Sequence, residues 1–91
     1  MIVVHTTPKF NRAYKKLLKG NPSLAETYRS RTKAFVTNPS DPSLETHKLK
    51  GKLKGSLAFS ITDDLRIVFE YDKGDSNSVL FLNTGPHDDV Y

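Results

Sequence analysis

Histidines at positions 5, 47 and 87, Arg66, the pair Asp63-Asp64 and lysines at 48, 50, 52 and 54 are the side chains with chemistry to offer. The lysines lie in HKLKGKLKG (residues 47–55), where Leu49-Lys50-Gly51 nearly repeats as Leu53-Lys54-Gly55. In an extended chain every second side chain points the same way, so Lys48, Lys50, Lys52 and Lys54 would form one row of ammonium groups. Like charges in a row repel and gain nothing from folding. The row is therefore either a solvated surface or a surface for a phosphate-rich partner, and the rest of the chain must decide.

The histidines narrow the chemistry. His5 has nothing near it in sequence to act with and reads as structural or surface. His47 heads the lysine row, and His87 follows Gly85-Pro86. Metal binding fits poorly, because no two histidines share a helical turn or a short spacing, and Asp88-Asp89 read as readily as tail residues as ligands. No serine stands in a nucleophile-elbow context. There is no cysteine, so neither a disulfide nor a thiolate metal site is possible. An arginine inside an alternating apolar run is costly unless its guanidinium has a partner. For Arg66 a phosphate fits the planar fork, and so does a salt bridge to Glu70 or Asp64.

The elements that must position these residues follow from periodicity. Residues 2–6 read as a short β-branched strand. Thr7 caps a helix with Pro8 in its first turn, and Phe10, Ala13, Tyr14, Leu17 and Leu18 form its apolar stripe up to Gly20. A second helix starts near Pro22, with Ser23 and Glu26 spaced as a capping box and Ala25, Tyr28, Thr32, Phe35 and Val36 as its stripe. After a turn-rich connector (38–46) the period changes to two. Leu57, Phe59 and Ile61, then Leu65, Ile67, Phe69 and Tyr71, alternate with smaller or polar residues around a hairpin turn at Asp63-Asp64. A third strand spans Val79 to Asn83 after the polar loop Asp72–Ser78. Parity predicts the odd residues 57–71 under the helices, with Phe10, Leu17, Tyr28 and Phe35 in the same core. Ser60 and Arg66 then look out from the opposite face.

Ninety-one residues make one domain, 1–91, with a single modest core. Residues 1–37 hold eight Lys/Arg against one acid, residues 38–62 four against two, and residues 63–91 two against seven. A basic side on a net +4 chain suits an anionic partner. Ile2-Val3-Val4 is too short for a signal-peptide core and no run reaches membrane-spanning length, so a cytoplasmic protein is expected.

Three pieces in order, H-x-L-x-G-x-L-x-G (47–55), D-D-L-R-I-V-F (63–69) and V-L-F-L-N-T-G-P-H-D-D-V-Y (79–91), resemble the RelE/YafQ/YoeB superfamily of type II toxin–antitoxin toxins, nearest to its YafQ-like branch. The resemblance implies an α+β fold with two N-terminal helices packed on a twisted antiparallel sheet, similar to microbial ribonucleases. It implies an mRNA interferase that enters the ribosomal A site and cuts by metal-free attack of the ribose 2′-OH, with no cofactor. Carried over by position, His87 is the general acid, Arg66 the phosphate clamp, and Asp64 or His47 the base. Lys48, Lys50, Lys52 and Lys54 bind RNA, and Tyr91 stacks on a base. An imidazole donates or accepts a proton near neutral pH, as such roles need. The partners implied are a cognate acidic antitoxin, the ribosome and mRNA, with the toxin alone a monomer. YafQ-like chains often carry a further histidine where this one has Ser60, and Pro86 replaces the more usual threonine. Two other outcomes share the fold: a ParE-like inhibitor of DNA gyrase, and a catalytically weakened relative that only binds RNA or antitoxin.

Overall fold

The computed structural model describes residues 2–90, except the side chains of residues 88 and 89. Tyr91, read above as a stacking residue, lies outside the described residues. The order is β1 (Val3–Thr6), α1 (Pro8–Gly20), α2 (Leu24–Thr37), β2 (His47–Lys48), β3 (Leu57–Ser60), β4 (Leu65–Asp72), β5 (Asp75–Pro86) and α3 (His87–Val90). Single 3-10 turns at Pro42–Leu44 and Gly51–Leu53 flank β2. The strands form one sheet in the order β1-β5-β4-β3-β2. Every neighbouring pair is antiparallel except β1 with β5, which run parallel, so the sheet is mixed where an antiparallel one was expected.

Helix α1 begins as its sequence predicts. The Thr7 hydroxyl oxygen accepts the Phe10 amide at 3.1 Å and donates to the carbonyls of Phe81 and Leu82 at 3.2 and 3.0 Å. One side chain thus caps the helix and ties its start to β5. Ser23 does precede α2, but it makes no capping bond; its hydroxyl donates to Asn21 Oδ1, and Glu26 pairs with Arg29 instead. The capping box therefore does not form.

Both helices cover one face of the sheet. Phe35, with no exposed surface, stacks on Phe59 (ring centroids 4.5 Å apart) and meets the Phe69 ring edge-on at 4.9 Å. Phe10, Tyr28, Leu44, Ile61, Leu65, Ile67, Val79 and Phe81 complete this core. Parity holds for Phe59 to Phe69 and weakens at the ends. Leu17 and Leu57 are half-buried, and Tyr71 is 38% exposed. The register slips between Val68 and Phe69 and again between Tyr71 and Asp72, the second at the end of β4.

The other face is less open than alternation predicts. Ala58 and Val68 are buried there under Leu49 and Val90, with Leu53 and Leu82 packed alongside. The chain after β2 and the short α3 fold over this face as a thin second layer. β5 is also longer than predicted, because Asp72 pairs with Asp75 across a two-residue turn at Lys73-Gly74. The Asp72 carboxylate accepts the Gly74 amide at 2.7 Å and holds that turn.

Candidate active site

Arg66 sits near the start of β4, opposite Ser60 on β3 and Gly85 on β5. Its Nη1 donates to the carbonyl oxygens of Thr62 (2.9 Å), Asp63 (3.2 Å) and Leu65 (3.3 Å). These are backbone groups of the turn between β3 and β4, so the salt bridge to Glu70 or Asp64 is not made. Among the described residues Nε and Nη2 have no bond, which leaves three N–H donors for an incoming anion. The half-buried arginine is thus anchored by one nitrogen and open at the others.

Its backbone is held from below. Thr84 Oγ1 donates to the Arg66 carbonyl at 2.8 Å and lies 2.6 Å from the Tyr28 hydroxyl. Thr84 has one hydroxyl hydrogen and spends it on Arg66, so Tyr28 is the donor in the second bond. The relay runs α2 to β5 to β4, and Tyr28 and Thr84 are each 3% exposed. Burial pushes the Tyr28 phenol up, and the nearby Tyr14 adds to the shift.

His87 leaves β5 directly after Pro86, which pairs with Leu65, while Asp64 immediately precedes Leu65. Both are exposed, and with Arg66 they occupy one corner, where β4 begins and β5 ends. His47 is placed differently. It pairs with Ala58, which pairs with Val68, so it shares their face but lies two residues along from the Ser60–Arg66 row. Two strand spacings and two residue rises put its Cα about 12 Å from that of Arg66. Its Nδ1 is 3.1 Å from the Glu45 carbonyl, a contact that requires the proton on Nδ1 and leaves the lone pair of a neutral ring on Nε2. Asp64, Arg66 and His87 come together, and His47 stands one row away.

The lysine row is not an extended strand. Strand pairing stops at Lys48, and the chain turns through Gly51–Leu53 with Gly51 at φ 70° and Gly55 at φ 98°, where a Cβ is unfavourable. Leu49, 9% exposed, and the half-buried Leu53 plug into the second layer. The repeat therefore encodes apolar anchors and turn glycines, not alternation. Lys48, Lys50, Lys52 and Lys54 are nevertheless all exposed, because the residues between them point in or turn the chain.

Three contributors escaped the sequence reading. Arg31, on α2, donates from Nε to the Ser60 carbonyl at 3.2 Å and from Nη2 to the Ser43 carbonyl at 2.6 Å. It ties α2 to the end of β3 and to the turn before His47. Its position three residues after the buried Tyr28 was the available signal. Thr84 and Tyr28 could have been paired only by topology, although a tyrosine hydroxyl on a core stripe always asks for a partner. Ser60 is 4% exposed and its hydroxyl has no partner among the described residues, as is also true of Thr46 Oγ1. Among the described residues no cluster of three metal-ligating side chains occurs, and no helix is long and apolar enough to cross a membrane.

No protein-family model matches the chain, and no curated protein sequence does. Solved structures do. YafQ from E. coli strain BL21(DE3) superposes with a TM-score of 0.78 at 14% identity, covering 100% of this chain and 99% of that one. A metal-bound toxin from Helicobacter pylori is 26% identical with a TM-score of 0.76 over the full length of both chains. The E. coli DinJ–YafQ toxin–antitoxin complex matches at 0.76 and 14% identity, over 99% of this chain and 97% of that one. The fold, two helices on a five-stranded mixed sheet, is that of the RelE/YafQ-type toxins, with the likeness on the YafQ side.

Proposed function

We propose that this chain is the toxin of a type II toxin–antitoxin pair and that it is an endoribonuclease cutting mRNA in the ribosomal A site. The observation that carries the reading is Arg66: an arginine tied down by loop carbonyls through one nitrogen, with three N–H donors left over, beside Asp64 and His87. A scissile phosphate at that corner would meet a cationic fork and two groups able to move protons. The 2′-oxygen attacks phosphorus and gives its proton to the base, Asp64 or His47. Arg66 stabilises the charge that builds on the equatorial oxygens, the P–O5′ bond breaks, and His87 protonates the departing oxygen. The products are a 2′,3′-cyclic phosphate and a 5′-hydroxyl. Ser60 takes no part, since its hydroxyl is buried and no proton carrier at neutral pH. Residues of this chain carry every step, and no metal or cofactor is invoked.

Lys48, Lys50, Lys52 and Lys54 give sequence-independent, salt-sensitive affinity for mRNA and ribosomal RNA, and Tyr91 stacks on a base. A cognate acidic antitoxin neutralises the toxin in the cytoplasm by covering those lysines and Arg66. Charge reversal at Lys50 and Lys52 should weaken both complexes; unchanged binding of both would make the lysines a solvated surface only.

Incubation with translating ribosomes and mapping of mRNA ends tests the activity. His87→Ala should slow cleavage by ~10²–10⁴-fold with ribosome binding nearly intact. Arg66→Ala should lose ~3–4 kcal/mol of transition-state stabilisation. Wild-type-like cleavage by His87→Ala at neutral pH would overturn the acid assignment. Cleavage should also survive EDTA when ribosome integrity is maintained with magnesium; its loss would overturn the metal-free mechanism.

A further inference from the structure

A groove of about 460 Å³ lies between α1 and the C-terminal end of β5, outside the corner described above. Its floor is Ala13, Leu17 and Pro86, its rims are Lys9 and Lys16, and the half-buried Asn83 lies at one side. Seven residues apart on a helix, the two lysines stand on one face and roughly 10 Å apart along its axis. The rest of α1 is of the same sign. Arg12, Lys15 and Lys19 are exposed, and no acid occurs before Glu26, which is engaged 2.8 Å from Arg29. No carboxylate of this segment offsets the field over the groove.

We propose that this groove is a nucleotide subsite, holding one nucleotide of an RNA chain with its base on the Ala13–Leu17–Pro86 floor and its phosphates on Lys9 and Lys16. The inference rests on the reading of the protein as RNA-binding. The volume falls within the ~300–1,000 Å³ of small-molecule sites, and an apolar floor with few polar groups is their usual construction. Position supplies the connection. Pro86, paired with Leu65, lies on the helix-covered face and Gly85, paired with Arg66, on the other, so a strand leaving the Arg66 corner reaches the groove by rounding the edge of β5 past Phe81, where its pairing with β1 ends. The occupant is therefore a nucleotide flanking the scissile bond. An acidic amphipathic helix is the rival occupant, but three small or flexible apolar residues give it a shorter strip than its anchors need, and no aromatic pocket.

The test is binding of short, fluorescently labelled 2′-O-methyl RNA, which carries phosphates but no attacking 2′-OH, to the free protein over a salt series. Lys9→Gln/Lys16→Gln should weaken binding roughly tenfold and reduce the slope of log K against log salt by about 1.4, the loss of two single-strand phosphate contacts. The methyl resonances of Ala13 and Leu17 should shift on adding the RNA to the wild type and not to the variant. Arg12→Gln/Lys15→Gln, of equal charge, should leave the Ala13 and Leu17 shifts in place. An unchanged slope, still methyls, no RNA binding by the wild type, or shifts of the Ala13 and Leu17 methyls on adding an acidic amphipathic peptide but not on adding RNA each overturns the subsite. Cleavage is not read here, so a wild type that binds in the groove without cutting mRNA would sink the interferase reading and leave the subsite standing.

Discussion

Replacing Thr84 by valine keeps the shape of the side chain and removes one oxygen from the buried relay Tyr28–Thr84–Arg66. Two groups then lose a partner: the Tyr28 hydroxyl on a residue 3% exposed, and the Arg66 carbonyl. The buried Tyr28 hydroxyl costs ~1–3 kcal/mol when orphaned and the part-buried Arg66 carbonyl about 1 more, so Thr84→Val should cost about 2–4 kcal/mol. A chain of this size has roughly 5–14 kcal/mol in total, so the loss is large but survivable. The sharper quantity is the sign of a second change. In the wild type, Tyr28→Phe deletes a donor whose bond is made, and should cost about 1 kcal/mol. In Thr84→Val the same hydroxyl has no acceptor, so Tyr28→Phe should give stability back. Urea unfolding of the two single variants and the double variant, with m unchanged, completes the cycle. A coupling of ~1–3 kcal/mol is expected. Equal costs of Tyr28→Phe in both backgrounds would refute the relay and the proton order assigned to it.

The raised Tyr28 phenol makes stability pH-dependent at the alkaline end. Its folded pKa lies above the unfolded value of about 10, so its contribution is intact below that pH and is lost as pH rises toward the folded value; urea midpoints on either side of pH ~10 should fall less in Tyr28→Phe. Asp41 acts in the opposite direction, its carboxyl held down first by the Ser43 amide and then by the Ser43 hydroxyl. Its contribution is present above the usual carboxylate range and fades as pH falls through the depressed value, and Asp41→Asn should flatten that acid limb. Ser60→Ala removes a buried hydroxyl without a partner and should stabilise the fold by about 1 kcal/mol; a loss of that size in the melting data would mean the hydroxyl is satisfied. Leu49→Ala should cost about 2–3 kcal/mol and speed exchange of the Leu49 and Ser56 amides, which close the lysine segment, while α1 amides keep their rates.

Where one physical rule dominated, the chain was legible. Thr7-Pro8 could only start a helix, and the period-two run from Phe59 to Phe69 buried the face it predicted. Asp64, Arg66 and His87 were readable as candidates by type and order, though only the β4–β5 register puts them at one corner. What misled was alternation without context. Ala58 and Val68 were read as outward because nothing local says that Leu49 and Val90 come back to cover them. The same oversight straightened the lysine segment: its leucines were counted as spacers when they are anchors, and its glycines as spacers when two of them set left-handed turns. The parallel partner of β1 was invisible for a related reason, since the pairing is between chain segments and not within one.

That pairing has a consequence for how the protein comes to exist. β1 is made first and β5 last among the strands, yet β5 lies between β1 and β4 in the sheet. Thr7, which starts α1, fastens to Leu82 across 75 residues. At ~5–20 residues per second of synthesis, the N-terminal strand and the base of α1 wait several seconds for the strand they dock on. Until then Thr7 lacks its two carbonyl acceptors on β5 and β1 has no strand to pair with. Contacts this distant in sequence also make for a slow nucleus. The Arg66 corner shares the dependence, because both Thr84 and Gly85 beside it belong to β5. A nascent chain stopped before β5 therefore carries its cations but not its candidate site, and competence arrives only as synthesis passes that strand.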